Sequence, residues 1–141
     1  MQISFRRLSP DTLVPEYKTP GACAFDVAVI EEVTLEPGER QLLSTGLVVT
    51  VPKGYALLLM SRSSNAKKGL RLSNSVGLID QDYCGPTDEL KCSIHNFGQT
   101  AYTITKGERL AQALIVPIVM GDFIETHEVK AGDRGGFGTT G

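Results

Sequence analysis

A chain of 141 residues fits one domain with its own core, and 41% apolar with 21% charged residues is ordinary globular composition. A net charge of −2 argues against a nucleic-acid polymer as the main partner, because duplex binding normally shows a basic face. The N-terminal "MQISFRRLSPD" has no long apolar run, so it reads as neither a signal peptide nor a membrane span.

Three cysteines, Cys23, Cys84 and Cys92, show no CxxC spacing. They suggest neither a disulfide framework nor a structural zinc site, and a reduced cytoplasmic setting is the default.

Along the chain, the recurring unit is a short β-rich run bounded by Gly or Pro. In order these are "FDVAVI" (25–30), "RQLLSTGLVVTV" (40–51), "YALLLMS" (55–61), "LKCSIHN" (90–96), "TAYTIT" (100–105) and "RLAQALIVPIV" (109–119). Turns are expected at 36–39, 51–55 and 105–108, each holding a glycine. "NAKKGL" (65–70) is the one candidate for a short helix, and Pro117 suggests an edge, a bulge or a crossing between sheets. The pattern predicts an all-β fold, an antiparallel sandwich, jelly roll or barrel. Residues 1–129 would form it. The Gly-rich 130–141 cannot build a core and reads as a flexible arm, mobile when empty.

Several stretches hold residues suited to chemistry. "GACAFDVAV" (21–29) sets one carboxylate, Asp26, in an apolar strand, where it must be solvated, paired or near a metal. "SRSSNAKKG" (61–69) gathers hydroxyls with Arg62, Lys67 and Lys68 after a strand, either a phosphate cradle or a solvated loop. "NSVGLIDQDYCG" (74–85) holds Asn74, Asp80, Asp82 and Tyr83; a carboxylate there can deprotonate a water, or the stretch is an acidic turn. "GERLAQ" (107–112) places Arg109 and Gln112 at a strand start, with Glu108 expected to pair with a neighbour at the surface. In the tail, Arg134 and Phe137 are the types that clamp an anion and cover a flat ring. His95 and His127 stand isolated.

Taken in order, "GACAFDVAV", "SRSS", "NSVGLIDQDYCG", "GERLAQ" and "DRGGFGTTG" resemble the five motifs of the trimeric dUTP diphosphatase (dUTPase) family, spanning residues 21–141. The resemblance implies a distorted jelly-roll β fold, a homotrimer with sites between subunits, and Mg²⁺-dependent hydrolysis of dUTP to dUMP and diphosphate. It implies that Asp80 activates the water, that Tyr83 packs under the deoxyribose and excludes a 2′-OH, and that Asn74 helps read uracil in a hairpin pocket. Arg62, Ser63 and Gln112 match phosphate contacts, and Asp26 the acid tied to Mg²⁺ through water. Arg134 and Phe137 match the tail residues that hold the γ-phosphate and cover the base; Ser64, Gly77 and Gly138 join the substrate-binding set. Partners implied are dUTP and copies of the same chain, with no nucleic-acid polymer and no membrane. The setting implied is cytoplasmic, or a host-cell cytoplasm if the source is viral.

The chain departs from that pattern at three places. Ser64 stands where the family usually has Gly, "CGPTDELK" (84–91) is longer than the usual connection, and the tail motif is shorter. Two rival readings use the same scaffold: a non-catalytic regulatory protein and a dCTP deaminase-like enzyme. The second shares "RSS" but would need a glutamate where Ser93 stands and an arginine where Lys67 stands.

Overall fold

The computed structural model describes residues 1–129 and 131–138; Lys130, Thr139, Thr140 and Gly141, which belong to the expected arm, lie outside the described residues. The strands are β1 (Ser4–Arg7), β2 (Phe25–Ala28), β3 (Val33–Leu35), β4 (Arg40–Ser44), β5 (Leu47–Thr50), β6 (Tyr55–Ser61), β7 (Leu70–Leu72), β8 (Val76–Ile79), β9 (Lys91–Asn96), β10 (Tyr102–Ile104) and β11 (Arg109–Pro117). A 3₁₀ helix, Ser63–Lys68, is the only helix among the described residues. The strands pair antiparallel in sheets ordered β2-β11-β6-β8 and β4-β9-β7, with two-stranded ribbons β1-β5 and β10-β3. The all-β expectation holds.

Alternation places the core. On β9, Cys92, Ile94 and Asn96 point inward, while Lys91, Ser93 and His95 face out. Cys92 and Ile94 join Leu43 of β4, Leu57 and Leu59 of β6, Leu70 and Leu72 of β7, and Leu110, Ala111 and Ala113 of β11 in one apolar cluster. Burial pushes the Cys92 thiol up to about 12, so it stays protonated and inert.

Two expectations need correction. The run 40–51 is two strands in different sheets, not one. It breaks at Gly46, whose φ of 67° only glycine adopts readily and where a Cβ would lie 2.2 Å from the Thr12 hydroxyl oxygen. The helix runs 63–68 rather than 65–70, because Leu70 is taken into β7 opposite Asn96. The turns fall where expected: Glu39 N–H donates to the Glu36 carbonyl at 3.0 Å, Tyr55 to Pro52 at 3.1 Å and Glu108 to Thr105 at 3.0 Å. In the first, Pro37 and Gly38 (φ 83°) have the signature of a type II turn. Pro117 ends β11, past Ala113 where the ladder with β2 stops.

Candidate active site

β11 lies between β2 and β6, and this carries three of the sequence motifs to one place. Asp26 on β2 stands directly opposite Gln112 on β11, and Gln112 is opposite Met60 on β6. The Asp26 carboxylate is mostly buried, its side chain 14% exposed. One oxygen pairs with Arg62 Nε at 2.8 Å and the other with Arg109 Nη1 at 3.0 Å. The Arg62 Nη1–H also donates to the Arg109 carbonyl oxygen at 3.2 Å, and the Gln112 amide donates to the Ser61 carbonyl at 3.2 Å. Two guanidiniums are thus held in fixed directions by one carboxylate. Ser63 and Ser64 follow at the start of the 3₁₀ helix; the buried Ser64 hydroxyl has no hydrogen-bond partner in the described structure.

Arg109 joins this cluster through a β-bulge: the register between β11 and β2 slips between Arg109 and Ala111. Residues 107–112 alone assign Arg109 no role, since neither the bulge nor the partner on β2 is visible in one strand's residues.

A second ionic cluster fastens the 3₁₀ helix. Glu108 was expected to pair with a neighbour at the surface, but it is largely buried and reaches Lys68 of the helix, Nζ to Oε1 2.6 Å. Tyr102 donates to the same oxygen at 2.8 Å and the Thr105 N–H to the other at 3.0 Å. Burial pushes the Glu108 carboxyl up, but these bonds and the Lys68 charge outweigh it and leave it below the ordinary range.

The third motif occupies β8 and the residues around it. A tight turn, with Ser75 at φ 62° and the Val76 N–H donating to the Asn74 carbonyl at 2.7 Å, links β7 to β8. Gly77 faces Leu59, and a Cβ on it would lie 3.3 Å from Leu59 Cβ and 3.5 Å from Asn74 Nδ2. After Ile79 the strand ends and the Tyr83 N–H donates to the Asp80 carbonyl at 3.3 Å, so strand alternation no longer relates Asp80 to Asp82. Asp80, Gln81 and Asp82 line a cleft with Ile118 and Met120. Tyr83 is 40% exposed and donates its hydroxyl to the Glu89 carbonyl at 3.2 Å.

One chain does not bring all of these groups together. β8 runs against β6 with Val76 opposite Met60 and Ile79 opposite Leu57, so Asp80 lies beyond the Ala56 end of β6 and Arg62 beyond its Ser61 end. The intervening strand spans about 20 Å at the rise of extended chain. Arg134, Phe137 and Gly138 lie on the irregular segment after β11, Arg134 exposed and Phe137 entirely so.

The dUTPase family model matches residues 11–141. The deoxyuridine 5′-triphosphate nucleotidohydrolase of Nautilia profundicola is 40% identical over 144 residues, spanning 100% of this chain and 99% of its own. The protein of the same name from Bordetella avium is 44% identical over 134 residues, covering 91% of this chain and 88% of its own. Among solved structures, the dUTPase of Staphylococcus bacteriophage 80alpha superposes with a TM-score of 0.83 at 28% identity, covering 92% of this chain and 99% of that one. A mutant dUTPase from phage phi11 of S. aureus, described as revealing the coordination of a structural Mg(II) ion, gives 0.84 at 27% identity over 93% of this chain and 100% of its own. The match spans nearly the whole chain and every motif on which the site is built; the chain belongs to the dUTPase family.

Proposed function

We propose that this chain hydrolyses dUTP to dUMP and diphosphate, removing dUTP from the nucleotide pool and supplying the dTMP precursor. The observation that carries the reading is the full ordered motif set inside a family match over residues 11–141, with Asp80, Arg134 and Phe137 all present.

Asp80 is the group that orients a water and takes its proton as the water oxygen bonds to the α-phosphorus and the bridge to the β-phosphate breaks. Arg62, Ser63, Ser64 and Gln112 hold phosphate oxygens, and the Asp26 carboxylate keeps the Arg62 fork aimed. Asn74 reads uracil in the hairpin pocket. Cytosine would set donor against donor, and an unpaired buried polar group costs about 1–3 kcal/mol. Tyr83 packs beneath the deoxyribose and leaves no room for a 2′-OH. Gly77 keeps space beside the Asn74 amide.

A water-activating carboxylate and the guanidinium that holds the attacked phosphate must meet at one substrate. About 20 Å of strand separates Asp80 from Arg62 in one chain, which supports a site built between copies. The segment after β11 supports the same reading. Val119, Met120, Phe123, Ile124 and Val129 are almost wholly exposed, an apolar stretch suited to covering by a neighbouring subunit. The homotrimer expected for the family satisfies both observations. The body, 1–129, and the arm, 130–141, then have separate tasks: Arg134, Phe137 and Gly138 close over the γ-phosphate and base and exclude water.

Among the described residues no three His, Cys, Asp or Glu side chains gather as a metal cage. Asp26 spends both oxygens on guanidiniums but keeps lone pairs that can accept from metal-bound waters. That donor set fits Mg²⁺, which keeps several waters and takes most of its ligands from phosphates. Bound there, Mg²⁺ supplies neutralisation of the charge that develops on the leaving diphosphate.

Cys23, Cys84 and Cys92 are free thiols, which supports a reducing, cytoplasmic setting; among the described residues no helix is long and apolar enough to cross a membrane. A deaminase reading gains no support, because Ser93 offers no carboxylate and its hydroxyl lies 3.0 Å from that of Ser73. The test is to incubate the purified protein with dUTP, dCTP, dTTP and UTP plus Mg²⁺ and follow diphosphate release. Release from dUTP alone is expected; equal turnover of all four, or none of dUTP, overturns the reading.

A further inference from the structure

The stretch after Tyr83 is the longer connection noted in the sequence, and it is tied down from both sides. On one side stands Arg6, an exposed residue of the N-terminal strand β1. Its Nη2 donates to the Gly85 carbonyl at 2.6 Å and to the Cys84 carbonyl at 3.2 Å, and its Nη1 to the Pro86 carbonyl at 3.5 Å. Three successive carbonyls converge on one guanidinium. The planar fork of arginine can serve several acceptors at once, which the point charge of lysine cannot reproduce in the same directions.

On the other side stands Glu89. Its carboxylate accepts from the Gly46 N–H at 2.6 Å and the Ser44 hydroxyl at 2.9 Å, and its carbonyl accepts the Tyr83 hydroxyl at 3.2 Å. The next residue, Leu90, donates its N–H to the Leu47 carbonyl at 2.7 Å. Within the loop the Asp88 carboxylate accepts from the Gly85 N–H at 2.7 Å, and the Asp88 N–H returns to the Gly85 carbonyl at 3.2 Å. Tyr83 therefore hangs between two anchors. One fixes its hydroxyl, and the other fixes the backbone immediately after it. Both lead to the β1–β5 ribbon and the Ser44–Leu47 corner, with Arg6 opposite Val48.

We propose that Arg6 is a positioning residue for Tyr83, and that the N-terminal strand thereby sets how strictly the enzyme rejects a ribose 2′-OH. The inference rests on the reading of Tyr83 as the sugar gate. A 2′-OH is refused by lack of space, and lack of space requires a ring that cannot retreat. Without Arg6 the three carbonyls turn to water, and the loop holding the ring keeps only its Glu89 anchor. The ring can then withdraw and admit UTP. Phosphate contacts and the water-activating acid are untouched, so turnover of dUTP changes less than discrimination does.

The experiment compares kcat/KM for dUTP and UTP in the wild type, Arg6→Ala, Arg6→Lys and Tyr83→Ala. Arg6→Ala is expected to lower the dUTP-to-UTP ratio by about tenfold, the loss of a charge-assisted contact, chiefly by improving UTP. Arg6→Lys recovers only part of it. Hydrogen exchange run alongside should show faster exchange at residues 84–88 in Arg6→Ala with the β6 and β11 amides unchanged; this also reads the contact if activity is low. A ratio within twofold of wild type in Arg6→Ala, while Tyr83→Ala lowers it, overturns the role of Arg6 and leaves the sugar-gate reading standing. If Tyr83→Ala leaves the ratio where it was, the sugar-gate reading falls and the inference with it.

Discussion

The Asp26 carboxylate holds the Arg62 guanidinium at 2.8 Å, although Asp26 sits on β2 and Arg62 directly follows β6, with β11 lying between those two strands. The same carboxylate takes Arg109 on its other oxygen at 3.0 Å. The resemblance made it a candidate metal acid; its geometry makes it first a clamp on two guanidiniums.

Asp26→Asn removes the charge that aims Arg62 and leaves the strand intact. KM for dUTP is expected to rise by about tenfold, with kcat changed less and the fold retained by far-ultraviolet circular dichroism. Steady-state kinetics across dUTP concentration check it; an unchanged KM would show that Arg62 finds its direction without Asp26.

Gly77 sits where a methyl group would press on Leu59 at 3.3 Å and on the Asn74 amide at 3.5 Å. Gly77→Ala should push β8 a few tenths of an ångström from β6 and turn the Asn74 side chain. The expected result is a stability loss of about 1–2 kcal/mol and a smaller preference for dUTP over dCTP. Denaturant titration and paired kinetics measure the two effects; a stable variant with full preference would place the base pocket elsewhere.

Glu108 supplies a pH dependence with a definite sign. Burial raises its carboxyl, but Lys68, the Thr105 N–H and Tyr102 outweigh that and hold it below its ordinary 4.5 in the folded chain. Its stabilisation is therefore complete above that value and is lost as pH falls through the lower, folded value. Lys68 has the opposite sense. Burial lowers it, Glu108 and Tyr102 raise it, and the net is above 10.5, so its share is lost only in strong alkali. Glu108→Gln should lower Tm by about 2–6 °C at neutral pH, and the gap to wild type should close in acid. Scanning calorimetry from neutral pH down past 4.5 checks it; a gap that stays constant into strong acid contradicts the assignment.

Most of the fold was legible because β-rich runs stand between Gly and Pro turn signals. "YALLLMS" matches β6 end to end, and "LKCSIHN" alternates as β9 does. β1, β3, β7 and β8 fall outside those runs; each is only three or four residues long, and "SFRR" is exposed at every position. The motif residues were legible as chemical types, but not their partners. The Asp26–Arg62–Arg109 cluster depends on β11 lying between β2 and β6 and on a bulge at Arg109, and Arg6 meets residues 84–86 from the far end of the chain. Register and long-range pairing are set by the whole core, so no local stretch records them.

On the proposed reading, each site joins Asp80 of one copy to Arg62 of another. The most direct measurement mixes two variants, Asp80→Asn and Arg62→Ala, each expected to lose about a hundredfold or more of turnover alone. Unfolding and refolding them together at equal amounts redistributes the copies. About a quarter of the wild-type activity should return, the fraction of sites that draw a native Asp80 and a native Arg62 from different copies of a closed ring. A mixture as inactive as its two components, from variants that refold and assemble normally, would mean that both groups serve the site from the same chain, and the account would be wrong.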